Sequence, residues 1–516
     1  MKNTIESVAA RAQTPFKNQP FTDFSKEENR KAQIEALEQV KSELGRKYPL
    51  VIGGKKIMNE DTFASVNPSR PDQIIGYFSR ATVEQANEAV QAAATAFESW
   101  KKVPAEERVA CLFAAADLMC QRRFNFNAWM IYEVGKSWAE ADGDTAEAID
   151  FMEYYAREMM RLAEEQPLTR IKDEDNQLVY IPLGVGAVIP PWNFPCAIMV
   201  GMTSASFVTG NTVILKPAST SPAIAAQFMQ ILEDVGLPSG VVNFLPGSGA
   251  TIGDALVENP QVRYIAFTGS REVGLRINEL AAKPRKGQRW LKRSILEMGG
   301  KDAVIVDETA DLEAAASGIV TSAFGFQGQK CSAGSRAIIV DKVYDRVLQK
   351  VIEKTKQLAM GDVTQPETTI GPVVDANAMK KIAEYIEIGK GEGRLVVGGE
   401  HHGPGYFIEP TVIADVDPHA RIAQEEIFGP VLAVIKARDF DDAMHIANDT
   451  EYGLTGSLYS QDPGRIERAK EEYHVGNLYF NRKCTGALVG RLTTTLRFPA
   501  ADADRGLGWL LLRSGR

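Results

Sequence analysis

The pattern of apolar and polar positions changes near residue 179 of the chain. Over residues 25–45, apolar side chains recur every three or four positions and the segment ends at a glycine, which is typical of one amphipathic helix. The same spacing predicts helices over residues 81–100, 105–121 and 143–164. We therefore predict that the first third is largely helical and begins with a helical arm, residues 1–45.

Beyond this point the apolar positions form short runs, spaced about 25 residues apart, which leaves room for one helix between two strands. The strand candidates of the first series are Val185–Ile189, Val213–Leu215, Val241–Leu245 and Tyr264–Phe267. Helical stretches begin near Ala197, Pro222, Thr251 and Arg271. A second series comprises Ala303–Val306, Ala337–Val340, Leu395–Val397 and Leu432–Ile435. This alternation favours two α/β domains with doubly wound parallel sheets, in which ligands bind at the carboxyl ends of the strands.

Length and charge narrow the class of protein. A chain of 516 residues with 44% hydrophobic side chains can bury several cores, so we expect two or three domains. The net charge of −9 gives no reason to expect a nucleic-acid partner. Residues 176–215 carry no charged side chain, but prolines and glycines interrupt them, which favours a buried core over a membrane span. The first residues lack the apolar core of a secretory signal, so we expect a cytoplasmic protein.

Cysteine and histidine usage argues against a disulfide framework and against metal catalysis. The five cysteines are widely spaced and form no Cys-x-x-Cys pair, so we expect reduced thiols. The five histidines all lie late in the chain, without the spacing of a metal-binding helix. We therefore predict no metal site.

Three residues at expected strand ends or in small-residue loops are candidates for chemistry. Cys331 lies in the segment Gln-Lys-Cys-Ser-Ala-Gly, Glu297 begins Glu-Met-Gly-Gly-Lys, and Asn193 lies in Pro-Pro-Trp-Asn-Phe-Pro. Taken singly, each has an ordinary interpretation: a buried thiol, a solvated or salt-bridged carboxylate, and a turn former.

Together and in this order, the three motifs resemble those of the aldehyde dehydrogenase superfamily, from about residue 50 to residue 490. The resemblance implies an α/β fold with a Rossmann-type NAD-binding domain, an α/β catalytic domain and a small β oligomerisation flap. It assigns Cys331 as nucleophile, Glu297 as general base and Asn193 as oxyanion donor. The implied domains are the arm 1–45, an NAD-binding domain of 46–168 and 188–299, a catalytic domain of 300–484, and an oligomerisation segment of 169–187 and 485–516.

The same resemblance implies a site for NAD. Lys216 and Glu426 would bind ribose hydroxyls, and Phe428 would pack near the nicotinamide. The other implied cofactor residues are Pro191, Trp192, Ser219, Gly249, Gly269 and Ser270. The usual Gly-x-Gly-x-x-Gly spacing is absent, because the glycines at 247, 249 and 253 leave one residue too many. Ser219 stands where many NAD-preferring relatives carry Glu, so NADP is expected to be used as well.

Within the superfamily, the chain resembles pyrroline-5-carboxylate dehydrogenases, which oxidise glutamate semialdehyde to glutamate in proline and arginine degradation. Gly486 and Ala487 would bind the substrate's α-carboxylate through backbone N–H groups, assisted by Ser332. The other implied substrate residues are Glu140, Phe194 and Lys330. Three interpretations stay open: a glycine turn that binds no ligand, an enzyme for another semialdehyde such as succinate semialdehyde, and a nucleotide-binding or scaffold homologue without turnover.

The sequence departs from the family after Gly490. Where the family has a Pro-Phe-Gly-Gly-Phe segment and a C-terminal strand, residues 491–516 contain five arginines and neither lysine nor glutamate. Either a shifted reading frame or a divergent tail would account for this composition. The family forms homodimers or higher homo-oligomers, and we expect a chain that lacks the strand to dimerise poorly and to be less active.

Overall fold

The computed structural model describes residues 2–490 and 511–515. The helices, in chain order, are α1 (Lys2–Gln13), α2 (Glu27–Glu43), α3 (Val83–Trp100), α4 (Ala105–Gln121), α5 (Arg123–Val134), α6 (Trp138–Ala163), α7 (Ala197–Val208), α8 (Pro222–Asp234), α9 (Asp254–Glu258), α10 (Arg271–Ala282), α11 (Leu312–Phe324), α12 (Tyr344–Thr355), α13 (Ala376–Glu392), α14 (Arg421–Gln424), α15 (Phe440–Asn448) and α16 (Pro463–Glu472). Single turns of other helix types are Gly249–Gly253, Gly325–Gly328 and Asp341–Val343.

The strands divide into two sheets of seven strands and three small ones. In chain order they are β1 (Arg46–Tyr48), β2 (Leu50–Ile52), β3 (Lys55–Ile57), β4 (Thr62–Asn67), β5 (Arg70–Ser79), β6 (Leu178–Pro182), β7 (Val185–Ile189), β8 (Thr212–Leu215), β9 (Val242–Phe244), β10 (Val262–Thr268), β11 (Arg293–Glu297), β12 (Ala303–Val306), β13 (Arg336–Val340), β14 (Arg394–Val397), β15 (His401–His402), β16 (Phe407–Ile408), β17 (Thr411–Ala414), β18 (Val431–Ala437), β19 (Thr455–Tyr459), β20 (Asn477–Phe480) and β21 (Leu511–Gly515).

The first third is less helical than its spacing predicts. The four expected helices are confirmed as α2, α3, α4 and α6, but β1 to β5 lie between the first two. Of these, β1, β4 and β5 form a separate sheet, and β2 pairs antiparallel with β9. Three-residue strands such as β2 are too short for a period of two to be visible, and their pairing with distant residues stabilises them.

The first large sheet places the candidate residues at its carboxyl edge. Its order is β11-β10-β7-β8-β9-β2-β3, and the strands from β11 to β9 are parallel, as predicted. From β7 the chain proceeds through β8 and β9 on one side and then returns to β10 on the other. A crevice therefore opens at the carboxyl ends of β7 and β10, where nucleotides bind in such sheets. Asn193 follows β7, and Ser270 follows β10.

The second large sheet has the order β14-β17-β18-β13-β12-β19-β20 and is parallel except for β14. All four strands predicted for this region are present. Its inner positions are fully buried, with Val304, Ile305, Ile338 and Ile339 at 0% exposure. Cys331 lies in the connection that enters β13, so this sheet carries the predicted nucleophile.

A two-stranded sheet of β6 and β21 corrects one expectation about the C-terminus. Residues 511–515 pair antiparallel with β6, so a C-terminal strand is present although the sequence suggested its absence. The expectation of a shifted reading frame or a divergent tail also concerns residues 491–510, which lie outside the described residues. β7 belongs to the first large sheet, so the predicted boundary between residues 187 and 188 falls inside a strand. Within the described part of the chain, no helix is long and apolar enough to cross a membrane.

Candidate active site

The loop that carries Cys331 is held in an unusual backbone conformation. Phe326 and Gln327 both have positive φ angles, 47° and 55°. Such angles cost non-glycine residues on the order of 1–3 kcal/mol each, so the surrounding structure must enforce them. The buried side-chain amide of Gln327 donates to the carbonyls of Gly135 (3.2 Å) and Pro372 (2.8 Å). These bonds fix the turn that precedes Cys331.

Asn193 contacts this loop directly. Its side-chain amide, 4% exposed, donates a hydrogen bond to the carbonyl of Gln329 at 3.0 Å. The side-chain carbonyl of Gln329 in turn accepts from the backbone N–H of Val374 at 2.9 Å. An amide group has two N–H donors, so this bond to Gln329, two positions before Cys331 in the sequence, leaves Asn193 a second donor. The structure therefore brings the predicted oxyanion donor to the nucleophile loop.

Gly299 and Gly300, which follow Glu297, allow the backbone to lie close to both Cys331 and Glu426. A Cβ on Gly300 would lie 2.1 Å from the carbonyl oxygen of Cys331, and a Cβ on Gly299 would lie 2.3 Å from the carboxylate of Glu426. The backbone N–H of Gly300 donates to Glu426 Oε1 at 3.0 Å. Any larger side chain at these positions would therefore displace the loop of Cys331 or the carboxylate of Glu426.

Glu297 ends β11, and its carbonyl accepts from the backbone N–H of Gly269 at 3.0 Å. Burial raises the pKa of the Cys331 thiol well above its usual range, and the carboxylates of Asp302, Glu297 and Glu426 add to the effect. The resting thiol is consequently protonated near neutral pH. A thiol attacks as its thiolate, so the reaction of Cys331 must begin with the removal of the thiol proton by a base. Glu297 lies near enough to Cys331 to affect the pKa of the thiol, and it is the predicted base.

Two ion pairs border the Cys331 loop. Lys330 donates to the carboxylate of Glu140 at 2.7 Å. Burial alone would raise the pKa of Glu140, but the ammonium groups of Lys330 and Lys136 hold it below its ordinary value. The buried ammonium of Lys136 lies 3.0 Å from Asp144 and 4.0 Å from the centre of the Phe194 ring. The three predicted substrate residues Glu140, Phe194 and Lys330 thus lie together.

A second turn, residues 484–487, is attached to the nucleophile loop. The buried thiol of Cys484 donates to the carbonyl of Ser332 at 3.4 Å. Gly486 has a φ of 78°, and the guanidinium of Arg482 donates to its carbonyl at 3.2 Å. The turn that carries Gly486 and Ala487, the predicted substrate residues, is therefore held at Ser332, the residue after Cys331.

Lys216 and Glu426 are both substantially buried at the carboxyl edge of the first sheet. Lys216 follows β8; its ammonium makes a single contact, with the carbonyl of Pro217 at 3.3 Å, and burial lowers its pKa to about 8. Burial also raises the pKa of Glu426, although the N–H of Gly300 opposes this shift. An ammonium has three donors, so Lys216 retains hydrogen-bonding capacity for a ligand.

Three aromatic rings pack together near the Asn193 motif. The rings of Trp192 and Phe428 meet edge to face with centres 5.5 Å apart, and the ring of Phe326 also meets Trp192 edge to face at 6.5 Å. Phe428 has a positive φ of 61°. Pro191 is buried beside Trp192. The predicted ring neighbour of the nicotinamide therefore lies against the motif that contains Asn193.

The remaining cofactor candidates lie along the same edge. Ser270 begins α10, and its hydroxyl accepts from the N–H of Val273 at 3.4 Å. Gly269 immediately precedes it. Ser219 donates to the carbonyl of Gly247 at 3.3 Å. Gly249 begins a π-helical turn, and a Cβ there would meet no atom within 4 Å. Gly249 and Ser219 thus border open space, and the structure shows no contact of either with the Cys331 loop.

Several supporting residues were not predicted from the sequence. Asp144 accepts from the N–H of Ala197 at 2.7 Å and so caps α7, the helix after Asn193, while it pairs with Lys136. Lys301 follows the two glycines and is buried, which lowers its pKa to about 7. A charged residue inside an otherwise apolar stretch is a signal for Asp144 in α6 and for Lys136 in the connection before it, but their partners become visible only in three dimensions.

Comparison with known proteins agrees with this geometry. The sequence model of the aldehyde dehydrogenase family matches residues 57–492. The 1-pyrroline-5-carboxylate dehydrogenase of Geobacillus thermodenitrificans is 58% identical over 477 residues, which cover 92% of this chain and 93% of that protein. The chain belongs to the aldehyde dehydrogenase family.

Solved structures of other aldehyde dehydrogenases have the same fold. A mutant of Thermus thermophilus 1-pyrroline-5-carboxylate dehydrogenase superposes with a TM-score of 0.96 and 49% identity, over 98% of this chain and 99% of that one. A structure of 1-pyrroline-5-carboxylate dehydrogenase from Thermus with bound NAD gives a TM-score of 0.95 and 48% identity, with the same coverage. The match to the family model ends at residue 492, close to Gly490, where the composition of this aldehyde dehydrogenase changes.

Proposed function

We propose that the chain oxidises L-glutamate 5-semialdehyde, formed from 1-pyrroline-5-carboxylate, to L-glutamate with NAD, as a step of proline and arginine degradation. The observation that carries this proposal is the attachment of the 484–487 turn to the nucleophile loop through Cys484 and Ser332. A carboxylate bound by this turn would lie near a thiol that can attack an aldehyde. The names of the similar enzymes support the same substrate.

The chemistry follows from the site residues. Glu297 accepts the proton of the Cys331 thiol, and the sulfur adds to the aldehyde carbon to form a thiohemiacetal. The remaining N–H of Asn193 and the backbone N–H of Cys331 stabilise the oxyanion. NAD, when bound, would accept the hydride that leaves this carbon, and the thiohemiacetal thereby becomes a thioester of Cys331. Glu297 returns its proton to solvent and then activates the water that hydrolyses this thioester, which releases the carboxylate product and the Cys331 thiol.

The residues along the first sheet fit a dinucleotide. The Lys216 ammonium is buried with one contact, so it has donors for a ribose hydroxyl, and Glu426 offers acceptors for another. Ser270 at the start of α10 places backbone N–H groups where a pyrophosphate would be bound. Ser219 supplies no negative charge that would repel a 2′-phosphate, so NADP is proposed as a second cofactor.

An aldehyde panel with each cofactor tests this function. Initial rates of NADH or NADPH formation would be measured with glutamate semialdehyde, succinate semialdehyde and unsubstituted aliphatic aldehydes. We expect glutamate semialdehyde to give the highest kcat/KM with NAD. A higher value for another semialdehyde would replace the substrate assignment, and absence of turnover with every aldehyde would favour a nucleotide-binding homologue.

We also propose a cytoplasmic homo-oligomer. Val179 and Ile181 on β6 are each 39% exposed, and Leu168 and Ile171 in the preceding segment are 44% and 54% exposed. Exposed apolar side chains that cluster in sequence and on one strand are typical of subunit contacts. Residues 169–187 belong to the predicted oligomerisation flap, and we propose the division into domains that contains this flap.

A further inference from the structure

Lys483 lies beside the predicted carboxylate anchor and forms no direct ion pair within the described part of the chain. It is half-buried, and it forms no hydrogen bond or salt bridge with any residue that the structure describes. The left-handed turn at Gly486 folds the chain back on this side chain. A Cβ on Gly486 would lie 3.6 Å from Lys483 Cε and 3.9 Å from its Nζ. The ammonium therefore lies against the turn whose backbone would bind the substrate.

The charges around this position leave one cation uncompensated. Lys330 is neutralised by Glu140 at 2.7 Å, and Lys483 interacts electrostatically with both. Arg482 contacts backbone carbonyls and lies over the Tyr479 ring, and it is exposed to solvent. Among the described residues beside this turn, Lys483 is thus a cation that forms no ion pair, and it lies close enough to Lys330 and Glu140 to interact with their charges. A half-buried ammonium without a counter-ion favours binding of an anion.

We propose that Lys483 is a specificity-determining residue that supplies the positive charge for the carboxylate of the substrate, so that the site selects aldehydes that carry a carboxylate over aldehydes that lack one. This inference rests on the proposed function for the identity of the substrate. The N–H groups of Gly486 and Ala487 provide direction but no net charge. Lys483 provides the charge, while the turn fixes the position of the carboxylate.

The test compares Lys483→Met, which removes the charge and keeps the length, with Lys483→Arg, which retains the charge. Lys286→Met, an exposed lysine on the loop after α10, is the matched control. For each variant, kcat/KM is measured for glutamate semialdehyde and for pentanal, and L-glutamate affinity by calorimetry. We expect Lys483→Met to lower the ratio of kcat/KM for glutamate semialdehyde to kcat/KM for pentanal by about 10- to 100-fold, mainly through KM, and to weaken L-glutamate binding similarly. Lys483→Arg and Lys286→Met should stay within about threefold of the parent.

An equal loss for both substrates would show that the lysine stem only packs against Gly486, and an unchanged ratio would show that its charge is not used; either result overturns the proposal. Lys483→Gln serves the same purpose if the methionine variant fails to fold. If the parent does not oxidise glutamate semialdehyde, the proposed function fails. Lys483 is then judged by L-glutamate affinity alone, and equal affinities in parent and methionine variant overturn it.

Discussion

At the scale of single residues, the central feature is a thiol that is protonated at rest. Burial and three nearby carboxylates hold the pKa of Cys331 well above its usual range. A high pKa protects the sulfur from oxidation and alkylation before substrate binds, because those reactions need the thiolate. It also makes the mechanism dependent on Glu297, which must remove the proton when the aldehyde is in place.

Alkylation of Cys331 should therefore depend steeply on pH. For a thiol with a raised pKa, the thiolate fraction grows about tenfold per pH unit below that pKa. We expect the iodoacetamide reaction of Cys331, followed by peptide mass spectrometry, to accelerate about 100-fold from pH 7 to pH 9 without a plateau. Cys120, which is exposed, reports reagent activity in the same digest. A plateau of the Cys331 rate near pH 7 would show that its thiolate is already formed at rest.

Asn193→Ala should abolish most of the turnover while the protein stays folded. The substitution removes the proposed oxyanion donor and the bond to the Gln329 carbonyl. Loss of one oxyanion donor costs about 100- to 1000-fold in kcat, and we expect a loss in that range or above. Thermal unfolding of the variant controls for stability. A kcat within a factor of about five of the parent would exclude Asn193 from the oxyanion site.

At the scale of elements, the connection from β11 to β12 brings three functions together. It begins at Glu297, passes the carboxylate of Glu426 at Gly299, and passes the backbone of Cys331 at Gly300. The two glycines have different neighbours: the flexible carboxylate of Glu426 lies beside Gly299, and the rigid backbone of Cys331 lies beside Gly300. Substitutions at the two positions should therefore have separable effects.

Gly300→Ala should lower kcat about 100-fold or more, because its Cβ would displace the Cys331 carbonyl and misplace the sulfur by about an ångström. Gly299→Ala should act mainly on the KM for NAD, since the Glu426 side chain can move away. Gly391→Ala, in α13 with open space around it, is the matched control and should be stabilised slightly. Equal kinetic defects in Gly299→Ala and Gly300→Ala would contradict the assignment of separate neighbours.

Elements with a strong local pattern could be predicted from the sequence, and those that depend on distant pairing could not. β7, β12 and α4 have the predicted bounds, because their apolar runs or helical spacing are complete within the segment. β2 and β3 were missed because a three-residue strand is defined by its partner. In the site, sequence motifs identified Cys331, Glu297 and Asn193. Asp144 and Lys483 could not be identified in this way, because residues around them come from segments far away in the sequence.

At the scale of the whole molecule, the two large sheets meet around the candidate active site, and β6 and β21 form a separate sheet. The strand at residues 511–515 removes one reason for expecting poor dimerisation, since β6 has a backbone partner.

Deletion of residues 511–516 should reduce assembly. Without β21, the edge of β6 loses its backbone hydrogen bonds, and the strand that carries Val179 and Ile181 is less ordered. We expect light scattering to show a homo-oligomer for the full chain and a shift towards monomer for the deletion variant, with kcat per subunit measured in parallel. A full chain that is monomeric would contradict the proposed assembly, and an unchanged mass after the deletion would contradict the role of β21.

The most direct test of the covalent mechanism is to trap the acyl intermediate. In Glu297→Gln the hydrolysing water loses its base, so incubation with glutamate semialdehyde and NAD should accumulate a thioester. Peptide mass spectrometry is expected to locate the acyl group on Cys331, and Cys331→Ala should give neither adduct nor turnover. Oxidation of the aldehyde by Cys331→Ala at the parent rate, or an acyl group on another residue, would contradict the mechanism.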